Sequence, residues 1–426
     1  MTLVFNYLKR RRKRLVCLAV ISGLILFCIW IGTSDESGEP KLEDPTVITL
    51  PLDTNGKFNV GDDIILSAYM NSGSRFTGRL LGFRPDTFYF YEPLYKFSVW
   101  DYFAGKDMRC STVIGECRRT KVDDINFFRP NPYENTKEKI VKKIPNSLKP
   151  TELLLSVVSK ILSCDLVPLK DVIQDRVQEL SSYVGPSWKT YRDCLSRFIG
   201  KSVCLRDLQD VCRRSTVRFI KLLRLTLGSL QPLLENNEHL KVVHLFRDPR
   251  AIIHSRMYTR YYPTNEKEQE AVAKGLCDKM LKDYFSGVKL MKQYPGRVMF
   301  LYYEDLLEHL HVRLKELYSL LNIEYNATLV DHLAEINVNL APAEKGISFR
   351  SDRQGNNSIW WRKYMTWDDV ASVEAVCGTA MRYLGYTSFD SVTQLRDLTV
   401  SSYRIPQMFH LTDIISESYF HGTVEY

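Results

Sequence analysis

Residues Ile64 to Phe83 read IILSAYMNSGSRFTGRLLGF. The first six, Ile64 to Tyr69, form an apolar run of strand length. Phe76 to Phe83 reads as a helix stopped by Arg84-Pro85, because the residue before a proline is driven out of the helical region. Between them Asn71-Ser-Gly-Ser-Arg75 supplies the turn. A buried strand that hands over to a helix through a small polar turn is the opening unit of a parallel sheet with helices on its faces. Backbone N–H groups at such a turn, aided by the helix dipole, form an anion site. Gly73 permits close approach to the backbone, and Ser72 and Ser74 add hydroxyl donors. GxxxxGK[ST] is absent, so this is not a nucleotide-triphosphate P-loop. A polar turn of this composition also occurs simply as a turn.

Outward from this unit the alternation continues. Thr87–Tyr91, Val217–Leu222, Lys241–Phe246 and Arg297–Tyr303 are strand candidates, and Glu152–Cys164 and Asp305–Leu321 are helical ones. The clearest helix is Trp367 to Leu384. Thr366 is its N-cap, Asp369 follows three residues later, and Gly385 supplies the stop, while Val370, Val373, Cys377, Met381 and Leu384 keep the helical period. The pattern predicts one α/β domain over residues 60–395, a parallel sheet flanked by helices, followed by a tail over 396–426.

A second segment, Lys241 to Arg256 (KVVHLFRDPRAIIHSR), carries chemistry. Its strand ends in Arg247-Asp248-Pro249-Arg250, and Pro249 suits the first turn of a following helix. Arg247 at the strand tip and Ser255 two turns on could reach one phosphate, Arg247 bidentately. The alternative is a solvated basic turn. His244 and His254 flank the motif, but alternation and helical phase point them elsewhere.

Across 426 residues, 45 % hydrophobic and 25 % charged content excludes a mostly disordered chain. Lys and Arg number 58 against 50 Asp and Glu, a net +8. Six of these lie in the run Lys9-Arg-Arg-Arg-Lys-Arg14, and 58 less those 6 leaves 52 against 50 in the rest of the chain. A basic block before a near-neutral body is a topology signal and excludes a nucleic-acid footprint. Leu15 to Gly32 is uncharged and as a helix spans about 27 Å, a signal-anchor whose rival is a cleaved signal peptide. The expected order is a cytosolic tail (1–14), a transmembrane helix (15–32), a lumenal stem (33–59) and the lumenal domain.

Cys17 and Cys28 fall in the anchor. Cys110, Cys117, Cys164, Cys194, Cys204, Cys212, Cys277 and Cys377 remain, an even number suited to disulfides in an oxidising compartment. Eight cysteines allow on the order of 100 pairings, so the connectivity is open. Asn326-Ala-Thr328 and Asn356-Asn-Ser358 are N-glycan acceptors in such a compartment.

Taken together, the strand–SGS–helix unit, Phe90-Tyr-Glu92-Pro-Leu94 and the RDPRA…SR segment resemble the Golgi carbohydrate sulfotransferases. The resemblance is to the branch that sulfates the 6-hydroxyl of galactose, N-acetylglucosamine or N-acetylgalactosamine. Lys221-Leu-Leu-Arg224, Tyr303-Glu-Asp-Leu306, Trp361-Arg362 and Val376-Cys-Gly-Thr-Ala-Met381 extend it from about Ile64 to Tyr386, weakly between Ala104 and Gln209.

The resemblance implies a P-loop-like sulfotransferase fold using 3′-phosphoadenosine 5′-phosphosulfate (PAPS) and no metal. It gives Ser72, Gly73, Ser74 and Phe76 the 5′-phosphosulfate, and Arg247 and Ser255 the 3′-phosphate. It also implies a single-pass type II Golgi membrane protein with a glycan acceptor, keratan- or chondroitin-like or bearing N-acetylglucosamine; a homodimer is compatible with this.

The acceptor hydroxyl needs a base, and Glu92 is the candidate, the alternative being a structural carboxylate paired with a cation. Lys221 and Arg224 bind an anionic sugar or pair with acids. Trp361 and Arg362 stack on a ligand or pack in the core. The family writes Arg-Ser-Gly-Ser-Ser in the first loop, whereas this chain has Asn71 in the first place and Arg75 in the last. Either Arg75 reaches back to the same sulfate, or the chain is a lumenal glycan-binding relative without turnover.

Overall fold

Strands buried on both faces need apolar side chains throughout, and five segments meet that demand. They are β1 (Asp62–Ala68), β2 (Thr87–Tyr91), β3 (Val217–Leu222), β4 (Leu240–Phe246) and β5 (Val298–Tyr302). They pair in the order β5-β4-β1-β3-β2, every neighbour parallel. The register sets Ser67 beside His244 on one side and Leu222 on the other, and Tyr91 beside Lys221. The carboxyl ends of β1, β2, β3 and β4 therefore open on one edge, where open α/β sheets bind ligands.

The computed structural model describes residues 62–94, 150–170, 173, 184–197, 199–257, 266–339 and 358–406, with five further short strands. Three of these, Tyr102–Gly105, Met108–Ser111 and Glu116–Arg119, form an antiparallel meander in which Cys110 lies opposite Cys117. The helices used below are α1 (Ser74–Gly82), α2 (Pro150–Leu162), α3 (Lys189–Ser196), α4 (Lys201–Arg214), α5 (Pro249–Met257), α6 (Glu266–Gln293), α7 (Tyr303–Glu308), α8 (Leu310–Leu320), α9 (Ala327–Asn339), α10 (Trp360–Tyr364) and α11 (Trp367–Leu384).

The chain divides into Met1–Thr49 and Leu50–Tyr426. In the first unit the sequence predicts one continuous helix from Leu15 to Gly32. Of that span the described residues are Leu15–Leu18 and Phe27–Trp30, which pair as antiparallel strands, Leu15 opposite Trp30. The rest of that span lies outside the described residues. Among the described residues no helix is long and apolar enough to cross a membrane.

In the second unit α11 has the predicted ends. Asp369 N–H donates to Thr366 Oγ1 at 3.1 Å, and Gly385 takes the left-handed conformation. Val370, Val373, Cys377, Met381 and Leu384 are buried against α6, and a Cys277–Cys377 disulfide joins the two helices. Cys164–Cys212 and Cys194–Cys204 clasp the α2–α4 region. The edge strand β2 is covered rather than open. Trp188 Nε1 donates to Tyr89 O at 2.6 Å, and Tyr89 N–H donates to Ser187 Oγ at 3.3 Å, which blocks pairing with another chain.

One helix was expected over Asp305–Leu321. It is two, α7 and α8, broken at His309, whose φ of −124° leaves the helical region. Asp305 ties the break by accepting from His309 Nδ1 at 3.0 Å and pairing with Arg313 at 2.5 Å.

Candidate active site

The first loop leaves β1 at Ala68 and turns through two residues of positive φ, Asn71 at 66° and Gly73 at 86°. Ser72 folds back on the strand end, its N–H and Oγ both donating to Tyr69 O, the hydroxyl at 2.8 Å. Gly73 caps α1, whose first N–H groups have no acceptor inside the helix. A side chain at Gly73 would run into the ring of Tyr303, the first residue of α7. The same ring meets Phe76 edge-on at 6.4 Å and carries the Arg247 guanidinium 4.8 Å above it. Loop, β5 end and β4 end are thus packed around one tyrosine.

Polar bonds stitch the loop to α5. Arg247 Nη1 donates to Asn71 O at 2.9 Å, and Asn71 Nδ2 donates to Ser255 Oγ at 3.1 Å. Arg256, buried, donates from Nη2 to Met70 O at 3.1 Å. The residues singled out in the two sequence segments are therefore hydrogen-bonded neighbours, although 176 and 184 positions separate them.

Beside this loop lies a charged cluster. Glu92, just past β2 with φ 44°, receives Lys221 Nζ on Oε1 and Arg224 Nη1 on Oε2, each at 2.7 Å. Its backbone N–H donates to Lys221 O at 3.1 Å, fixing it to β3 independently of its side chain. Burial raises the Glu92 carboxyl, but the charges and hydrogen bonds of Lys221 and Arg224 outweigh it and hold the group at about 2. Burial brings the Lys221 ammonium down to about 8 against the pull of Glu92, with Arg75 and Arg224 adding to the lowering. Lys221 also lies 4.1 Å over the Tyr91 ring, and the second turn of α1 passes beside its stem at Gly78. Of the two readings for Lys221 and Arg224, pairing with an acid is what the structure displays.

The sulfotransferase domain model matches residues 61–385, three-quarters of the chain and all of this site. The chain belongs to the sulfotransferase family. It is similar to carbohydrate sulfotransferase 4 of Mus musculus, 25 % identical over 372 residues that cover 81 % of this chain and 88 % of that protein. It is also similar to carbohydrate sulfotransferase 1 of Danio rerio, 24 % identical over 367 residues, 79 % of this chain and 81 % of that one. The resemblance drawn from the motifs to the carbohydrate sulfotransferases therefore holds. Among solved structures, mouse sulfotransferase SULT7A1 complexed with PAP matches with a TM-score of 0.34 and 14 % identity, covering 80 % of this chain and 90 % of that one.

Several motif residues of this family member are architectural. Arg250 is fully buried between Asp248, with two bonds of 2.7 and 3.0 Å, and Glu374 at 2.6 Å. Arg362 donates to four carbonyls, those of Gln394, Leu395, Asp397 and Val400, and so gathers the segment after α11. Trp361 is buried under Arg250 at 4.5 Å, so the Trp-Arg pair packs in the core. His244 sits behind the loop between Ser67 Oγ at 3.0 Å and Tyr69 OH at 2.9 Å. Burial, then the nearby Lys279 charge, lowers it to about 3, in keeping with its exclusion from the site.

Sequence reasoning missed Tyr303 and Arg256 as members of the loop environment. The signal was present for both, since one follows a strand end and the other continues the Ser255 motif. Asn326 is exposed, and its Oδ1 accepts Leu329 N–H at 3.0 Å at the start of α9. Asn356 lies outside the described residues.

Proposed function

We propose that this protein is a carbohydrate sulfotransferase that moves sulfate from PAPS to the 6-hydroxyl of a glycan sugar. The observation that supports the reading is that the first loop and the Arg247–Ser255 segment are hydrogen-bonded neighbours at one strand-end edge, beside a carboxylate held by two cations. Ser72, Gly73, Ser74 and Phe76, with the N–H groups opening α1, would hold the 5′-phosphosulfate. Arg247 and Ser255 would hold the 3′-phosphate, positioned by Asn71. Lys221, Arg224 and Arg75 fit the sulfonate and the leaving phosphate, since fixed cations stabilise charge as it develops.

In the reaction the acceptor oxygen bonds to sulfur as the sulfur–oxygen bond to the phosphate breaks. The 5′-phosphate of PAP leaves with that electron pair, and Glu92 takes the hydroxyl proton. The proposed setting is the Golgi membrane, with a single-pass type II anchor at residues 15–32 and a lumenal body. The basic run before the apolar segment and the three disulfides support it.

A second reading, a lumenal glycan-binding relative without turnover, is favoured by one observation: both Glu92 oxygens are engaged by cations. The test incubates residues 60–426 with radiolabelled PAPS and a panel of desulfated keratan, chondroitin and N-acetylglucosamine-terminated glycans. Label on position 6 of one of them is expected. Absence of label on every glycan from protein that binds PAP would establish the second reading.

A further inference from the structure

Glu92, Lys221, Arg224 and Arg75 interact as one set. One carboxylate faces two buried cations directly, and the Arg75 charge also acts on Lys221. An ammonium and a guanidinium each carry several N–H donors, so Lys221 and Arg224 can donate to the oxygens of an anionic ligand as well as to Glu92.

The same pairing disables Glu92. A carboxylate bridged by two cations at 2.7 Å is a poor proton acceptor, because a base works best when its pKa lies near the operating pH. The φ of 44° at Glu92 is an unusual conformation for a residue with a side chain, and it aims this carboxylate at the two cations. The backbone bond from Glu92 N–H to Lys221 O persists whatever the side chain does, so the ion pairs can part while the strand ends stay joined.

We infer that Glu92 is a caged base: Lys221 and Arg224 hold it in the donor-free protein, and the donor's sulfonate draws them off and frees it to accept the acceptor's proton. This rests on the reading that the protein binds PAPS. The sulfonate offers three acceptor oxygens to the two cations, so their hydrogen bonds are exchanged rather than lost. Once they turn to the sulfonate, the carboxylate returns toward its ordinary basicity. Base competence then follows donor binding.

The inference makes an unusual demand, that removal of the base should tighten donor binding. In wild type the sulfonate competes with Glu92 for the cations; in Glu92→Gln it does not. By calorimetry without acceptor, Glu92→Gln should bind PAPS about tenfold more tightly than wild type, the effect of one relieved charge-pair competition. PAP, which lacks the sulfonate, should bind both within about twofold, and transfer should be lost. In Glu92→Gln with Lys221→Met the tightening should vanish.

Unchanged or weaker PAPS binding by Glu92→Gln overturns the cage. Should that variant fail to fold, Glu92→Asp, too short to bridge both cations, should still tighten measurably, and equality with wild type overturns the cage. A wild type that binds neither PAP nor PAPS overturns the donor reading and the cage together. One that binds PAP and transfers sulfate while Glu92→Gln shows no tightening overturns the cage alone.

Discussion

Gly73→Ala tests how tightly the first loop is built. Two costs arise at this position, and the structure separates them. A φ of 86° is disfavoured for any residue with a Cβ, by roughly 1–2 kcal/mol. The new methyl would also run into the Tyr303 ring, which is buried, edge-packed on Phe76 and covered by Arg247. Forcing extra volume into such packing costs about 1–3 kcal/mol. The sum is about 2–5 kcal/mol of stability, read from urea unfolding. PAP affinity should fall as well, because the displaced ring carries the Arg247 guanidinium.

A double-mutant cycle with Tyr303→Ala divides the two costs. Removing the ring relieves the overlap but leaves the backbone conformation, so Gly73→Ala in that background should cost only about 1–2 kcal/mol. An equal cost in both backgrounds, or a single-variant cost below about 0.5 kcal/mol, would refute the packing argument.

Three further outcomes are expected. Arg247→Ala should weaken PAP binding by about 2–4 kcal/mol in calorimetry, the cost of losing one partner of a largely desolvated charged contact. Glu304 accepts Asp248 N–H at 2.9 Å, and burial followed by the Asp248 charge raises it to about 7. The folded state then holds a proton that the unfolded chain has lost, so this stability is full below about pH 4.5 and is lost as pH rises through about 7. Glu304→Gln should therefore gain stability over wild type at pH 8, by at most about 3 kcal/mol, with the gain closing towards pH 5 in urea titrations. Replacing Cys277 and Cys377 by Ala opens a clasp spanning 100 residues and should lower unfolding stability by about 3–5 kcal/mol.

What the sequence disclosed follows from where the signal lies. The ends of α11 were legible because Thr366, Asp369 and Gly385 are local determinants acting within four residues of their own positions. The start of β1 was placed two residues late because Asp62 and Asp63 are polar. Asp63 is nonetheless buried, accepting from Arg218 at 2.5 Å and Asn237 at 2.6 Å, contacts that exist only once β1 lies between β3 and β4. The break at His309 was missed for a related reason. Apolar periodicity continues across it, and only side-chain pairing through Asp305 marks the boundary. In the site, Arg247 and Ser255 stood out because each belongs to a strand-to-helix handover. That Glu92 pairs with a cation was open as an alternative, but Lys221 and Arg224 were not legible as its partners, because they lie 129 and 132 positions away and meet it only through β2 lying beside β3.

Asn71 shows how a departure from a family pattern changes meaning once neighbours are known. As sequence, the missing cation before Ser72 weighed against turnover. In the structure position 71 has a φ of 66°, a region that Asn tolerates better than most residues. Its side chain donates to Ser255 and its carbonyl accepts from Arg247, while the adjoining Met70 carbonyl accepts from Arg256. Two guanidinium groups already meet the loop at this point, and a third cation would add like-charge repulsion where an amide now makes a hydrogen bond. The Arg75 charge contributes to the lowering of Lys221, one of the two cations that hold Glu92. Asn71 is bonded into the network that Arg247 and Ser255 share, and the transfer assay on desulfated glycans reads what the change of residue does to turnover.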